Sequence, residues 1–183
     1  MGARPAGYTM PLRSLRRTNT GTSTSLLFGN LASNGKHVAC IHNAEVMVLS
    51  DSTVTSGSAS PSVLKLSDMN LALVQQVRWV QLPEAEVFVV ASQRSLQLYS
   101  ADQKRLLHHL VSLPTASPEV PSYFKGISGG VLSHGGVVCA GCSSGAVCVL
   151  PVFEQAANFG EVAYYQVGHI MWGQGARGRD GGA

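Results

Sequence analysis

Glu86-Val87-Phe88-Val89-Val90-Ala91, turned by Gln93-Arg94 into Ser95-Leu96-Gln97-Leu98-Tyr99, is the stretch on which the fold turns. The first run is almost unbroken in apolar residues, which predicts a strand buried on both faces. The second has a counterpart on each side. Asn43-Ala44-Glu45-Val46-Met47-Val48-Leu49 precedes it, and Ser144-Gly145-Ala146-Val147-Cys148-Val149-Leu150 follows. The closing residues Leu49, Tyr99 and Leu150 are spaced by 50 and then 51 positions. A period of this size is that of β-propeller blades.

Around each copy the chain supplies the rest of a blade. In the middle unit Gln75 to Val80 predicts one strand, Leu82-Pro83-Glu84-Ala85 a turn, and Leu106 to Val111 a fourth strand. In the first unit Asn34-Gly35 signals a turn before the strand His37 to Cys40. Ser25 to Phe28 is read as an earlier strand and Val63 to Leu66 as the outer one. Asp68 to Leu73 is read as a helical turn. In the third unit Gly126 to Leu132, Val137 to Gly141, Ala146 to Val149 and Glu161 to Gln166 fill the four positions.

The expected fold class is therefore all-β: a partial propeller of about three four-stranded antiparallel blades, near 26–73, 75–113 and 124–167. Residues 1–25 are read as a flexible basic arm, 51–62 as a Ser/Thr/Gly/Pro-rich loop, and 171–183 as a Gly/Arg-rich disordered tail. Closed propellers carry four to eight blades, so three leave two apolar blade faces open. Truncation, a covering partner protein and self-association each account for that. Only 13% of the 183 residues are charged, about half the usual share, which agrees with burial against something else.

The net charge of +3 is concentrated at the ends: residues 1–25 hold Arg4, Arg13, Arg16 and Arg17 and no acid. Nucleic-acid binding through these arginines is an alternative reading, although Tyr8 is their only aromatic neighbour. A transit peptide is another. No window of eighteen apolar residues suggests a membrane span. Four cysteines with no secretory leader suit a reduced, cytoplasmic setting.

Cys139-Ala140-Gly141-Cys142 has a spacing that zinc and redox sites use, and His134 and Cys148 lie on neighbouring elements. A small cysteine-based metal or redox domain is thus a second alternative. Strand-core packing is the plainer account, and no metal or other cofactor is assigned. His108-His109 cannot chelate one ion from adjacent strand positions. The glycines of 126–145 match no phosphate-binding pattern. Ser133-His134 with Asp102 or Asp68 lacks a nucleophile elbow. No catalytic residue is assigned, and no small-molecule substrate is expected.

Gln75-Gln76-Val77-Arg78-Trp79, Arg94 to Tyr99, Gly126-Ile127-Ser128 and Gly141 to Val149, with Gly168-His169, resemble WD-repeat sequence over roughly residues 26–170. The Trp-Asp pair that usually ends a third strand falls here on Leu49-Ser50, Tyr99-Ser100 and Leu150-Pro151. The resemblance implies a non-enzymatic scaffold in a large protein assembly. It further suggests a structural subunit of the cilium or flagellar axoneme. The absent aspartates imply that the polar network normally tying a blade together is lost. Arg78, Trp79 and Tyr99 are the candidate protein-binding residues, because arginine and large aromatics dominate binding hot spots; core packing is the competing role for both aromatics.

Overall fold

The computed structural model describes residues 30–42, 44–50, 62–64, 73–111, 122–132, 135–153, 156 and 158–166. The arm, the strand at Ser25 to Phe28, the helical turn at Asp68 to Leu73 except its last residue, nearly all of the 51–62 loop, and the tail with Gly168-His169 lie outside these residues.

Three antiparallel sheets follow one another along the chain. The first orders β1 (Leu31–Ser33), β2 (His37–His42), β3 (Glu45–Ser50) and β4 (Ser62–Leu64). The second orders β5 (Val74–Gln81), β6 (Glu86–Ser92), β7 (Leu96–Ser100) and β8 (Leu106–Leu110). The third pairs β9 (Phe124–Leu132), β10 (Gly135–Cys142) and β11 (Ala146–Phe153), with β12 (Asn158–Phe159) and β13 (Ala163–Gln166) both on the outer edge of β11. Each sheet is an antiparallel meander, so the described residues are all-β and built as successive blades.

The expected single outer strand of the third blade is split. Pro151 within β11 has no N–H to give the ladder, and the outer strand breaks opposite it. Gly160 N–H donates to Pro151 O at 2.9 Å across the break. In the first blade the described inner strand is Leu31–Ser33, just before the turn that Asn34 organises. Asn34 Oδ1 accepts from the backbone N–H groups of Lys36 and His37, and Gly35 takes φ +84°.

The strand pairing shows how strictly the three blades repeat. Ala39 pairs Val48, Val89 pairs Leu98, and Cys139 pairs Val149. Val38 pairs Leu49, Phe88 pairs Tyr99, and Val138 pairs Leu150. Alternation along the strands then assigns faces. In the first blade Ala39, Ile41, Val46 and Val48 point forward along the chain order. They pack with Val77, Trp79, Phe88, Val90 and Tyr99, which point back from the second blade. The second blade's other face, with Val87, Val89, Ala91, Leu96 and Leu98, packs on Phe124, Ile127, Val138, Ala140 and Leu150 of the third. The middle blade is thus covered on both sides. That is why Val87 to Ala91 are all buried and why their sequence shows no polar alternation.

Packing between the second and third blades includes a titrating group. His108 on β8 stacks on Phe159 of β12, with ring centroids 4.6 Å apart. Burial, then the neighbouring His109, holds its pKa below the usual 6.5. The folded chain therefore takes up this proton at lower pH than the unfolded chain does. The resulting loss of stability begins as pH falls through 6.5 and levels off below the depressed value. Urea midpoints measured from pH 7.5 to 5 are expected to fall for the native chain and to fall less for His108→Phe. Equal slopes would exclude His108 as the source.

Candidate protein-interaction surfaces

Arg78 and Trp79 are neighbours on β5, and strand alternation sends them to opposite faces. Arg78 is exposed. Its guanidinium Nη1 donates to Ile127 O on β9 at 3.0 Å. Two positions earlier, Gln76 Oε1 accepts from Ile127 N–H at 2.6 Å. Two side chains of the second blade thus hold both polar groups of one peptide residue on the third blade's inner strand. Ile127 sits on an edge strand, so these backbone groups lack a partner strand and need such contacts. The sequence showed Gln76 and Arg78 but not the long-range clamp, which joins residues about fifty positions apart.

Trp79 is 8% exposed and lies between the first two blades. Its ring meets Phe88 at 4.5 Å and stacks with His37 at 6.2 Å. The indole Nε1–H donates to Ala101 O at 3.2 Å. Tyr99 is 4% exposed in the same cluster. Both aromatics are placed as blade packing, and Arg78 alone of the three candidates presents its side chain to solvent.

Tyr99 also heads a polar chain. Its hydroxyl donates to Gln97 Oε1, Gln97 Nε2 donates to Ser95 Oγ at 3.0 Å, and Ser95 Oγ lies 3.2 Å from Ser92 Oγ. Ser92, Ser95 and Gln97 are all buried. The second blade therefore has an internal polar network in spite of its missing aspartate. The expectation that the network is lost is corrected for this blade. The physical reason is that Gln97 and Tyr99, two apart on β7, share one face and reach the Ser92–Ser95 turn. Blades one and three carry Met47 and Cys148 where the second carries Gln97.

The cysteines are divided by the third sheet. Cys142 and Cys148 belong to the apolar cluster between blades two and three. Cys139, paired with Val149 rather than with Cys148, lies on the opposite face. Among the described residues no three His, Cys, Asp or Glu side chains gather into a metal-holding group; His134 is outside them. Burial raises the thiol pKa of Cys40, Cys139 and Cys142. For Cys148 burial, with the thiols of Cys142 and Cys139, pushes it up to about 12. Thiols so raised are poor nucleophiles and poor metal ligands. Iodoacetamide at pH 8 is expected to modify Cys148 in urea but not in the folded chain, read by peptide mass. Equal labelling in both states would show that the thiol is not sealed. The arginines of the nucleic-acid reading all lie outside the described residues.

The two terminal blades each turn one apolar face away from the described clusters. On the first, Leu31, Cys40, Met47 and Val63 form one cross-strand row, with Val38 and Leu49 in the next. Leu31 is 64% and Val63 48% exposed, and the other four are half-buried. On the third, Cys139, Val147 and Val149 are half-buried, and Tyr165, paired with Val147, is 61% exposed. The fifty-residue period contained this information, because Leu49 and Tyr99 are equivalent, and among the described residues only Tyr99 has a preceding blade to meet.

No known family model and no curated protein matches the sequence. Among solved structures, the chain is similar to one in the crystal structure of a mitotic checkpoint complex. The TM-score is 0.53 at 15% identity, over 92% of this chain and 50% of that one. The chain thus spans half the length of that neighbour, which is a WD40 propeller. With two four-stranded sheets and a third whose outer strand is split in two, the likeness gives the fold: the described chain is a run of consecutive WD40-type propeller blades.

Proposed function

We propose that the chain is a non-enzymatic protein–protein interaction scaffold, a WD-repeat structural subunit of a larger assembly. The observation that carries this is the pair of apolar blade faces at either end of the stack. On its two central strands each consists of residues whose equivalents in the middle blade are buried. Exposed apolar sheet faces mark interaction surfaces. The neighbouring structure is itself part of a multi-protein complex. Arg78, exposed on the inner strand, is the polar residue of this reading.

The setting we propose is cytoplasmic, in the cilium or flagellar axoneme. It rests on the resemblance of residues 26–170, in the order and spacing of their motifs, to the N-terminal half of WD repeat-containing protein 54.

The test is the mass and composition of the native complex containing this chain, isolated from its own cells. A defined assembly is expected, enriched in ciliary fractions. Arg78→Glu is expected to remove at least one component while the β-sheet signal is retained. A chain recovered with no co-purifying protein would overturn the scaffold reading. A defined assembly without ciliary enrichment would overturn the setting alone. An unchanged composition after Arg78→Glu would take that residue out of the interface.

A further inference from the structure

The inner strands of the second and third blades carry the same irregularity. Val74 pairs Ser92 and Gln76 pairs Ala91, which leaves Gln75 without a partner in the ladder. Phe124 pairs Cys142 and Gly126 pairs Gly141, which leaves Lys125 likewise. Each is a β-bulge, a device that re-aims a side chain out of the regular pleat and recurs beside functional sites. In the third blade the bulged residue is a cation. Lys125 is exposed, and its Nζ stands 5.7 Å from the centre of the Tyr123 ring. That contact steadies the ammonium without neutralising it. Arg78 lies across the seam. Strand alternation turns it, with Gln76, toward the third blade, and its Nη1 donates to Ile127 O, two residues beyond Lys125 on β9. That bond uses one of the guanidinium's several N–H donors. Neither cation is paired with a carboxylate among the described residues, where the salt bridge is Lys104 with Asp102. Arg78 and Lys125 are also the only charged side chains on β1, β5 and β9. Glu86, opposite Gln81 at the far end of β5, is turned to the first blade, where Asn34 Nδ2 donates to its Oε2 at 2.7 Å.

We propose that this seam between β5 and β9 is a recognition site for an acidic peptide segment of a partner protein, with Arg78 and Lys125 each taking one carboxylate. The inference rests on the scaffold reading and deepens it by giving the chemistry of the partner. A guanidinium fork suits a carboxylate bidentately, and an ammonium takes one as a point charge. The points at which the two cations meet β9 are two residues apart, about 7 Å, which is the repeat of same-side side chains along an extended peptide. Carboxylates at alternate positions of such a peptide therefore match the pair. Two cations fall short of a nucleic-acid site, where affinity accumulates over many phosphate contacts.

Fluorescence polarisation of the full chain with a labelled peptide of alternating Glu and Ser tests this, against the same peptide with Gln in place of Glu. The Glu peptide alone is expected to bind, and less tightly as salt is raised from about 50 to about 200 mM. Lys125→Gln is expected to weaken binding by about 3-fold, the scale of an exposed ion pair. Arg78→Gln is expected to weaken it by about 10-fold, the scale of a hydrogen bond to a charged group. Arg78→Lys keeps the charge and loses the fork, and should fall between the native chain and Arg78→Gln. Lys36→Gln removes the same charge from the exposed turn between β1 and β2 and should leave binding unchanged. If Arg78→Gln loses its far-UV β-sheet signal, Lys125→Gln carries the test, since that position is exposed and outside the ladder. Equal binding of the Glu and Gln peptides overturns the proposal. So does binding that Lys125→Gln and Lys36→Gln weaken equally, which would be a response to net charge. So does binding that Lys125→Gln leaves unchanged, which would place the peptide elsewhere on the chain. A single-stranded oligonucleotide bound more tightly than the Glu peptide, and lost in the same variants, would overturn it in favour of nucleic acid. A defined native assembly with no Glu-peptide binding would end this inference and leave the scaffold reading standing; peptide binding by a chain that co-purifies with no protein would do the reverse.

Discussion

Phe88→Ala is expected to destabilise the chain by about 3–5 kcal/mol, the range for removing a fully buried aromatic. Phe88 has no exposed surface and sits at the centre of the contact between the first two blades. It touches the Trp79 ring at 4.5 Å, and its strand partner Tyr99 lies in the same cluster. Truncation leaves a void between two sheets, and the sheets cannot close on it without shifting their pairing. The loss falls on one contact only, because Phe88 points back and Val87 and Val89 point forward. Hydrogen exchange should therefore rise first in the strands of the first blade, while β9 to β11 keep their protection. A uniform rise over all three blades would mean that they unfold as one unit and that the contact is not separable. Urea unfolding gives the magnitude, and a loss within about 0.5 kcal/mol, the range of an ordinary surface change, would contradict the assigned burial.

Much of the architecture was legible because the middle blade is sandwiched. A strand covered on both sides needs apolar residues at every position, and Val87 to Ala91 supply them. The turns were legible where local chemistry sets them, as at Asn34-Gly35. The short strand Leu31–Ser33 was not, since Leu-Ala-Ser has neither length nor alternation and owes its state to pairing with β2. The break in the outer strand of the third blade follows from Pro151, but only once the register with β12 and β13 is known.

The site was less legible than the fold. Trp79 and Tyr99 have the residue types of a binding hot spot, and those types serve equally well between blades. Only the face each side chain occupies separates the roles. The Gln76–Arg78 clamp on Ile127 and the Ser92–Ser95–Gln97–Tyr99 chain join residues by shape rather than by spacing. The open faces, by contrast, follow from the period by arithmetic. Once Val38 is matched to Phe88 and Val138, its face is known to be one that propeller blades bury.

Leu98→Asp is expected to do more damage than any truncation, because it buries a charge where no partner exists. Leu98 is fully buried in the contact between blades two and three. Its strand neighbours on that face are Val89 and His108. His108 is its titratable strand neighbour, and burial favours the neutral form of that imidazole. An unpaired carboxylate at such a position costs several kcal/mol, and it takes up a proton rather than stay ionised. A single domain of this size has roughly 5–15 kcal/mol to lose in all, so the variant should be largely unfolded at pH 8. The raised carboxyl pKa sets the direction of rescue. The folded state binds the proton more tightly than the unfolded state, so folding recovers as pH falls toward the folded value. This opposes the acid slope contributed by His108, and circular dichroism across pH 8 to 5 reads the sum. Leu98→Asn, which carries no charge, should show no such recovery. If the aspartate variant were as stable at pH 8 as Leu98→Ala, the second and third blades would not be sealed against water where Leu98 sits.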